Sequence, residues 1–185
     1  TERKRQWLAC GRIGAIAVLL NWRLAAGEIG WIMGNAEPAM TFTNPRFSDL
    51  LAQSDAGETV EVDEQHDPHG AFEAIVSGAD LKPSALPDLP EGRALYMMYT
   101  SGTTGRPKGV IITHGMVLSA VFNEAVNFEA TRQSVSYAVM PLFHIGALMG
   151  FSVPVLFFGR TAVVERVFEP GAMLQAVTSE DYGVT

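Results

Sequence analysis

The sequence is poor in cysteine, in charge and in uninterrupted apolar stretches. Its single cysteine, Cys10, excludes a disulfide framework within the chain. Cys10 sits in the run Trp7-Leu8-Ala9-Cys10 and reads as a small core residue rather than a nucleophile. A lone thiol fits a reducing, cytoplasmic compartment. Charged residues make up 18% of the chain, too few for a solvated disordered segment. The net charge of −7 gives no general attraction to nucleic acid or to an anionic membrane, so a phosphate site must be built locally. The longest apolar region, residues 139–159, is interrupted by Pro141, His144, Gly146, Gly150 and Pro154. A membrane span needs about 20 clean apolar residues, so a buried turn, helix and strand are expected there. No cleavage-like site follows the charged start Thr1-Glu2-Arg3-Lys4-Arg5, and no secretory signal is expected.

What is present is apolar content of 48% over 185 residues, enough for one domain or large subdomain with a real core. Helical and strand-like patterns alternate. Residues 5–15 predict a helix, 15–20 a buried strand, and Asn21-Trp22-Arg23-Leu24 a turn. Residues 26–34 predict a helix with Ile29, Ile32 and Met33 on one side. A strand over 39–43 and a helix opened by Asn44-Pro45 follow, with Phe47, Leu50 and Leu51 as its apolar stripe. Further strands are expected at 59–62, 94–99, 110–112, 136–140 and 161–164. Helices are expected at 72–76, 114–128 (apolar positions Val117, Val121 and Val126), 145–157 and 169–177. Residues 82–92 hold Pro83, Pro87 and Pro90 and read as an extended linker. Repeated βα units predict an α/β fold, a layered and largely parallel sheet flanked by helices.

The most specific segment is Thr100-Ser101-Gly102-Thr103-Thr104-Gly105-Arg106-Pro107-Lys108-Gly109, between two predicted strands. Gly102, Gly105 and Gly109 allow tight turns and close approach of backbone to a ligand. Successive N–H groups in such turns form an anion-binding concavity. Thr100, Ser101, Thr103 and Thr104 add hydroxyl donors, and Lys108 adds a positive charge. Arg106 adds another or simply faces solvent. Short donors with a cation suit a triphosphate. The order Pro107-Lys108-Gly109 does not fit Gly-x-x-x-x-Gly-Lys-Ser/Thr, so a Walker A loop is excluded.

Tyr99 together with residues 100–109 resembles the signature loop of the adenylate-forming, AMP-binding superfamily, which includes acyl-CoA synthetases, fatty-acyl- and aryl-CoA ligases, luciferases and nonribosomal-peptide adenylation domains. Gly14-Ala15-Ile16-Ala17-Val18 with Asn21-Trp22-Arg23-Leu24 resembles an upstream segment of acyl-CoA synthetases, and Pro141-Leu142-Phe143-His144-Ile145-Gly146 their next block. Leu19 departs from the proline that relatives often carry before the Leu-Asn pair. The resemblance implies ATP, Mg²⁺ and coenzyme A as reactants or cofactors and a small-molecule carboxylic acid as substrate, while the net charge and the interrupted apolar region predict neither nucleic acid nor a membrane span. It implies that Thr100, Ser101, Gly102, Thr103, Thr104, Gly105 and Lys108 bind nucleotide. Lys108 and His144 would serve the chemistry, with His144 beside the acyl and thioester-forming site. From the residues alone, His144 fits equally a histidine that satisfies a buried polar group. Phe143, Ala147 and Met149 fit either an apolar acyl pocket or core packing.

The resemblance also implies that residues 1–185 are a partial N-terminal domain, lacking the later glutamate, aspartate, hinge and C-terminal lysine, and inactive alone. Tyr182-Gly183-Val184-Thr185 is similar to the start of a Tyr-Gly-x-Thr-Glu motif but lies too close to the His144 block to be it. His66 and His69 read as part of an acidic solvated loop rather than a metal site, and His114 as a structural helix cap. No metal ligands are expected from the protein itself. The leading expectation is an acyl-CoA synthetase. An adenylation enzyme that loads a carrier protein, and a nucleotide-binding module without catalysis, are the alternatives.

Overall fold

The computed structural model describes residues 2–62, 70–78, 87–101, 105–127, 134–165 and 167–179, with residues 2–7 described by their backbone. Along the chain run α1 (Glu2–Ile13), β1 (Ala17–Leu19), α2 (Ala26–Ala36), β2 (Met40–Thr43), a 3-10 turn (Pro45–Phe47), α3 (Ser48–Leu51), β3 (Glu58–Glu61) and α4 (Ala71–Gly78). Then come β4 (Ala94–Thr100), β5 (Lys108–Thr113), α5 (His114–Asn127), β6 (Val135–Ala138), a π-helical turn (Gly146–Gly150), α6 (Val153–Phe157), β7 (Thr161–Val164) and α7 (Pro170–Thr178).

Among the described residues the strands form three sheets, ordered β1-β4-β5, β2-β3 and β6-β7. Ala17 lies opposite Tyr96, Met40 opposite Glu58 and Val135 opposite Thr161, and all three pairings are parallel. The α/β architecture with parallel strands and flanking helices is therefore present, divided into three small sheets. Among the described residues no helix is long and apolar enough to cross a membrane.

The chain divides into two compact units. One comprises Thr1–Leu19, Asp88–Met98 and Ile111–Thr185, the other Leu20–Pro87 and Tyr99–Val110. In the first, Leu95, Tyr96 and Met98 of β4 meet Val117 and Val121 of α5 in a buried cluster, joined by Leu148. Cys10 is half-buried against this cluster, and burial pushes its thiol pKa up, so it stays a protonated packing residue. α1 stops at Gly14, whose φ of 73° a β-carbon would oppose. The Ala15 N–H then reaches back to the Cys10 carbonyl at 2.9 Å, closing the helix in the Schellman pattern.

In the second unit, the i, i+3, i+4 spacing of Ile29, Ile32 and Met33 is buried as expected. Ile29 and Met33 pack with Leu51 of α3 and Ala56. Ala25 precedes α2 and has no side-chain oxygen, so Glu28 alone caps the end, its Oε2 accepting from the Ala25 N–H at 3.0 Å. The Asn44 side chain accepts from the Arg46 N–H ahead of Pro45, as the Asn-Pro pair predicts. Phe42 of β2 meets Phe72 of α4 edge to face at 6.0 Å.

Three expectations are corrected. Residues 145–157 are not one helix: the π-helical turn ends at Gly150, and α6 begins at Val153. Pro154 lacks the N–H that would bond to the Gly150 carbonyl, and its ring would collide there. The break leaves Ser152 fully buried, with a hydroxyl that has no hydrogen-bond partner among the described residues. Val126 is 84% exposed rather than on the inner face of α5. Five residues beyond Val121 at 3.6 per turn put it about 140° round the helix. His114 opens α5, but the cap is Thr113, whose Oγ1 accepts from the Met116 N–H at 3.2 Å. The His114 Nε2 is buried and has no hydrogen-bond partner among the described residues.

Candidate functional site

β4 extends through Thr100 and β5 starts at Lys108, so the connection covers 101–107. It is shorter than the ten residues read as loop. Lys108 and Gly109 have weak strand preferences, and ladder pairing overrides them. Lys108 is thus the first residue of a strand, with its side chain exposed. Thr100 and Ser101 are exposed at the other end. Gly105 has φ of 83° with open space where a β-carbon would sit, so its backbone conformation rather than crowding calls for glycine. Arg106 is exposed, and Pro107 is buried. Thr100, Ser101, Gly105 and Lys108 all lie at this one connection. Gly102, Thr103 and Thr104 lie outside the described residues.

Two residues that the sequence reading did not single out support the connection. The Tyr99 hydroxyl donates to Asn35 Oδ1 at 2.7 Å. The Trp31 ring meets the Tyr99 ring edge-on, with centroids 6.2 Å apart and planes at 86°. Burial raises the Tyr99 pKa, so the phenol keeps the proton it donates. Asn35 and Tyr99 are 64 residues apart, and no local pattern pairs them.

His144 belongs to the other unit. Its N–H closes a turn onto the Pro141 carbonyl at 2.9 Å, and its own carbonyl accepts from the Leu148 N–H at 3.2 Å. The side chain is exposed, 5.8 Å ring to ring from Phe143, so it does not serve a buried polar group. Ala147 and Met149 are buried, Met149 within the main cluster, so these two pack the core. Phe143 is half-buried. His66, His69 and residues 182–185 lie outside the described residues. Among the described residues no three of His, Cys, Asp or Glu gather to hold a metal. The exposed hydroxyls and the Lys108 ammonium at one strand connection fit a nucleotide's phosphates.

The AMP-binding enzyme family matches residues 6–185. This chain belongs to that family. A feruloyl-CoA synthase from an Amycolatopsis species is 35% identical over 174 residues, covering 93% of this chain and 33% of that protein. An indoleacetate–CoA ligase from Aromatoleum aromaticum is 31% identical over 184 residues, 96% of this chain and 36% of that protein. The o-succinylbenzoate CoA synthetase of Bacillus subtilis, solved with its acyl-adenylate intermediate, superposes with a TM-score of 0.80 at 25% identity. That match covers 100% of this chain and 45% of the other. The same synthetase solved with ATP and magnesium gives a TM-score of 0.79 at 24% identity, a likeness of fold. The chain therefore spans about a third of the length of the curated AMP-binding relatives it matches.

Proposed function

We propose that this chain supplies the polyphosphate grip of an ATP-dependent acid–thiol ligase, an acyl-CoA synthetase. The observation that carries the proposal is the connection between β4 and β5, which presents Thr100, Ser101, Gly105 and Lys108 to solvent in a member of the AMP-binding family. Gly102, Thr103 and Thr104 are assigned to the same grip from the sequence. The related CoA ligases favour coenzyme A as the acceptor thiol. Catalysis needs the whole enzyme, since 185 residues match about a third of each curated relative. The lone half-buried thiol fits a cytoplasmic setting.

In the first step a carboxylate oxygen attacks the α-phosphorus of ATP, the bond to the bridging oxygen breaks, and pyrophosphate leaves. Negative charge grows on the β- and γ-phosphates, where hydroxyls, N–H groups and the Lys108 ammonium stabilise it. Bound Mg²⁺ would supply further charge neutralisation at those oxygens. In the second step the thiol of coenzyme A attacks the acyl carbon and AMP leaves. His144, exposed at the start of an apolar helical segment, is assigned to that acyl-transfer site. Its resemblance to the matching family block supports the assignment.

The test uses the complete enzyme carrying this sequence, with ATP, Mg²⁺, coenzyme A and a panel of aryl and fatty acids. Acid-dependent exchange of pyrophosphate into ATP, followed by an acyl-CoA product, is expected. Loading of a carrier-protein thiol without an acyl-CoA product would replace coenzyme A as acceptor. ATP binding without AMP formation from any acid would reduce the protein to a nucleotide-binding module.

A further inference from the structure

The start of the nucleotide-binding connection is held from outside its own sheet. Ala17, Val18 and Leu19 of β1 pair with Tyr96, Met97 and Met98. That ladder stops one residue short of Tyr99. Beyond it, the Tyr99 side chain is fixed by α2, through the 2.7 Å hydrogen bond to Asn35 and the edge contact with Trp31. Trp31 and Asn35 stand four residues apart, on one face of α2. The helix is itself anchored by Ile29, Ile32 and Met33, which are 2%, 0% and 2% exposed. A strand sends neighbouring side chains to opposite sides, so the rotation of Tyr99 sets the direction of Thr100 and of the backbone that leaves it. At the far end, buried Pro107 precedes Lys108.

We propose that Asn35 and Trp31 are positioning residues for the nucleotide-binding loop, acting through Tyr99. The inference rests on reading the connection as a polyphosphate grip. The hydrogen bond is exposed, and such a bond adds little to folding. Its effect is expected in the aim of the loop, as a change in affinity for nucleotides that carry β- and γ-phosphates.

The test measures binding of MgATP and, separately, of AMP to the complete enzyme by calorimetry. Tyr99→Phe removes only the donor, and Asn35→Ala removes only the acceptor. Each is expected to raise the Kd for MgATP by roughly fivefold, the size of one lost hydrogen bond, and to leave AMP unchanged. The double variant is expected to be no worse than either single one, because both delete the same contact. Equal loss of AMP binding, multiplying effects in the double variant, or unchanged MgATP affinity would each overturn the proposal. Lys108→Ala separates it from its premise. If that variant binds MgATP normally, the polyphosphate reading falls and takes this proposal with it. If Lys108→Ala weakens MgATP binding while Asn35→Ala does not, the polyphosphate reading stands and this proposal alone falls.

Discussion

The Arg93 guanidinium donates through Nη2 to the Gly14 carbonyl oxygen at 2.9 Å, across 79 residues of chain. The accepting carbonyl lies just past the C-terminus of α1, where a cation also meets the negative end of the helix dipole. Arg93→Ala is expected to remove about 1–2 kcal/mol of stability, as for a partly buried charged hydrogen bond. Urea unfolding checks this as a lower midpoint at unchanged slope. An unchanged midpoint would show the bond to be incidental.

Lys108→Ala is expected to slow acyl-adenylate formation by about a hundredfold, the lower end of what one stabilising group contributes at a developing charge. Stopped-flow measurement of pyrophosphate release checks it. Because Lys108 is exposed at a strand end, its removal is expected to leave the unfolding midpoint in place. Unaltered pyrophosphate release would remove Lys108 from the chemistry.

His144→Ala is expected to act on the second half-reaction. The side chain is exposed, so stability should move by less than about 0.5 kcal/mol. Single-turnover conversion of preformed acyl-adenylate to acyl-CoA is expected to slow, with the KM for ATP unchanged. A normal rate of acyl transfer would leave His144 as a surface residue.

The Glu169 carboxylate caps α7, accepting from the Gly171 and Ala172 N–H groups, and these bonds lower its pKa below the usual carboxylate value. A depressed folded pKa contributes stability that is complete above the unfolded value and is lost as pH falls through the folded one. Amide exchange in α7 is therefore expected to be slower in the native protein than in Glu169→Gln at neutral pH. The difference should close as the solution is acidified below the ordinary carboxylate range. A gap that persists at that pH would show that charge plays no part in the cap.

Helices with one apolar face were legible in the sequence, and α2 illustrates why: Ile29, Ile32 and Met33 repeat at the helical period beside exposed Gly34 and Asn35. Residues 145–157 carry apolar side chains on nearly every side, so periodicity could not locate the break, and Gly150 and Pro154 were its signals. The connection proposed to grip phosphate was legible as a composition of glycine, hydroxyl and lysine. Its ends were not, because whether Thr100 or Lys108 joins a strand depends on a neighbouring strand rather than on its own side chain. Trp31 and Asn35 were missed for a related reason. Their relation to Tyr99 exists only once 64 residues have folded back.

The parallel pairing of Ala17 with Tyr96 also sets an order of events during synthesis. β1 is made early, yet its partner emerges only after the whole of Leu20–Pro87. Contacts so distant in sequence close slowly, because the chain between them must first give up its freedom. The growing chain therefore carries an unpaired β1 while α2, β2 and β3 form their own local contacts. β4 then pairs with β1 ahead of β5, and Tyr99 near its end meets Asn35 of a helix made some sixty residues earlier.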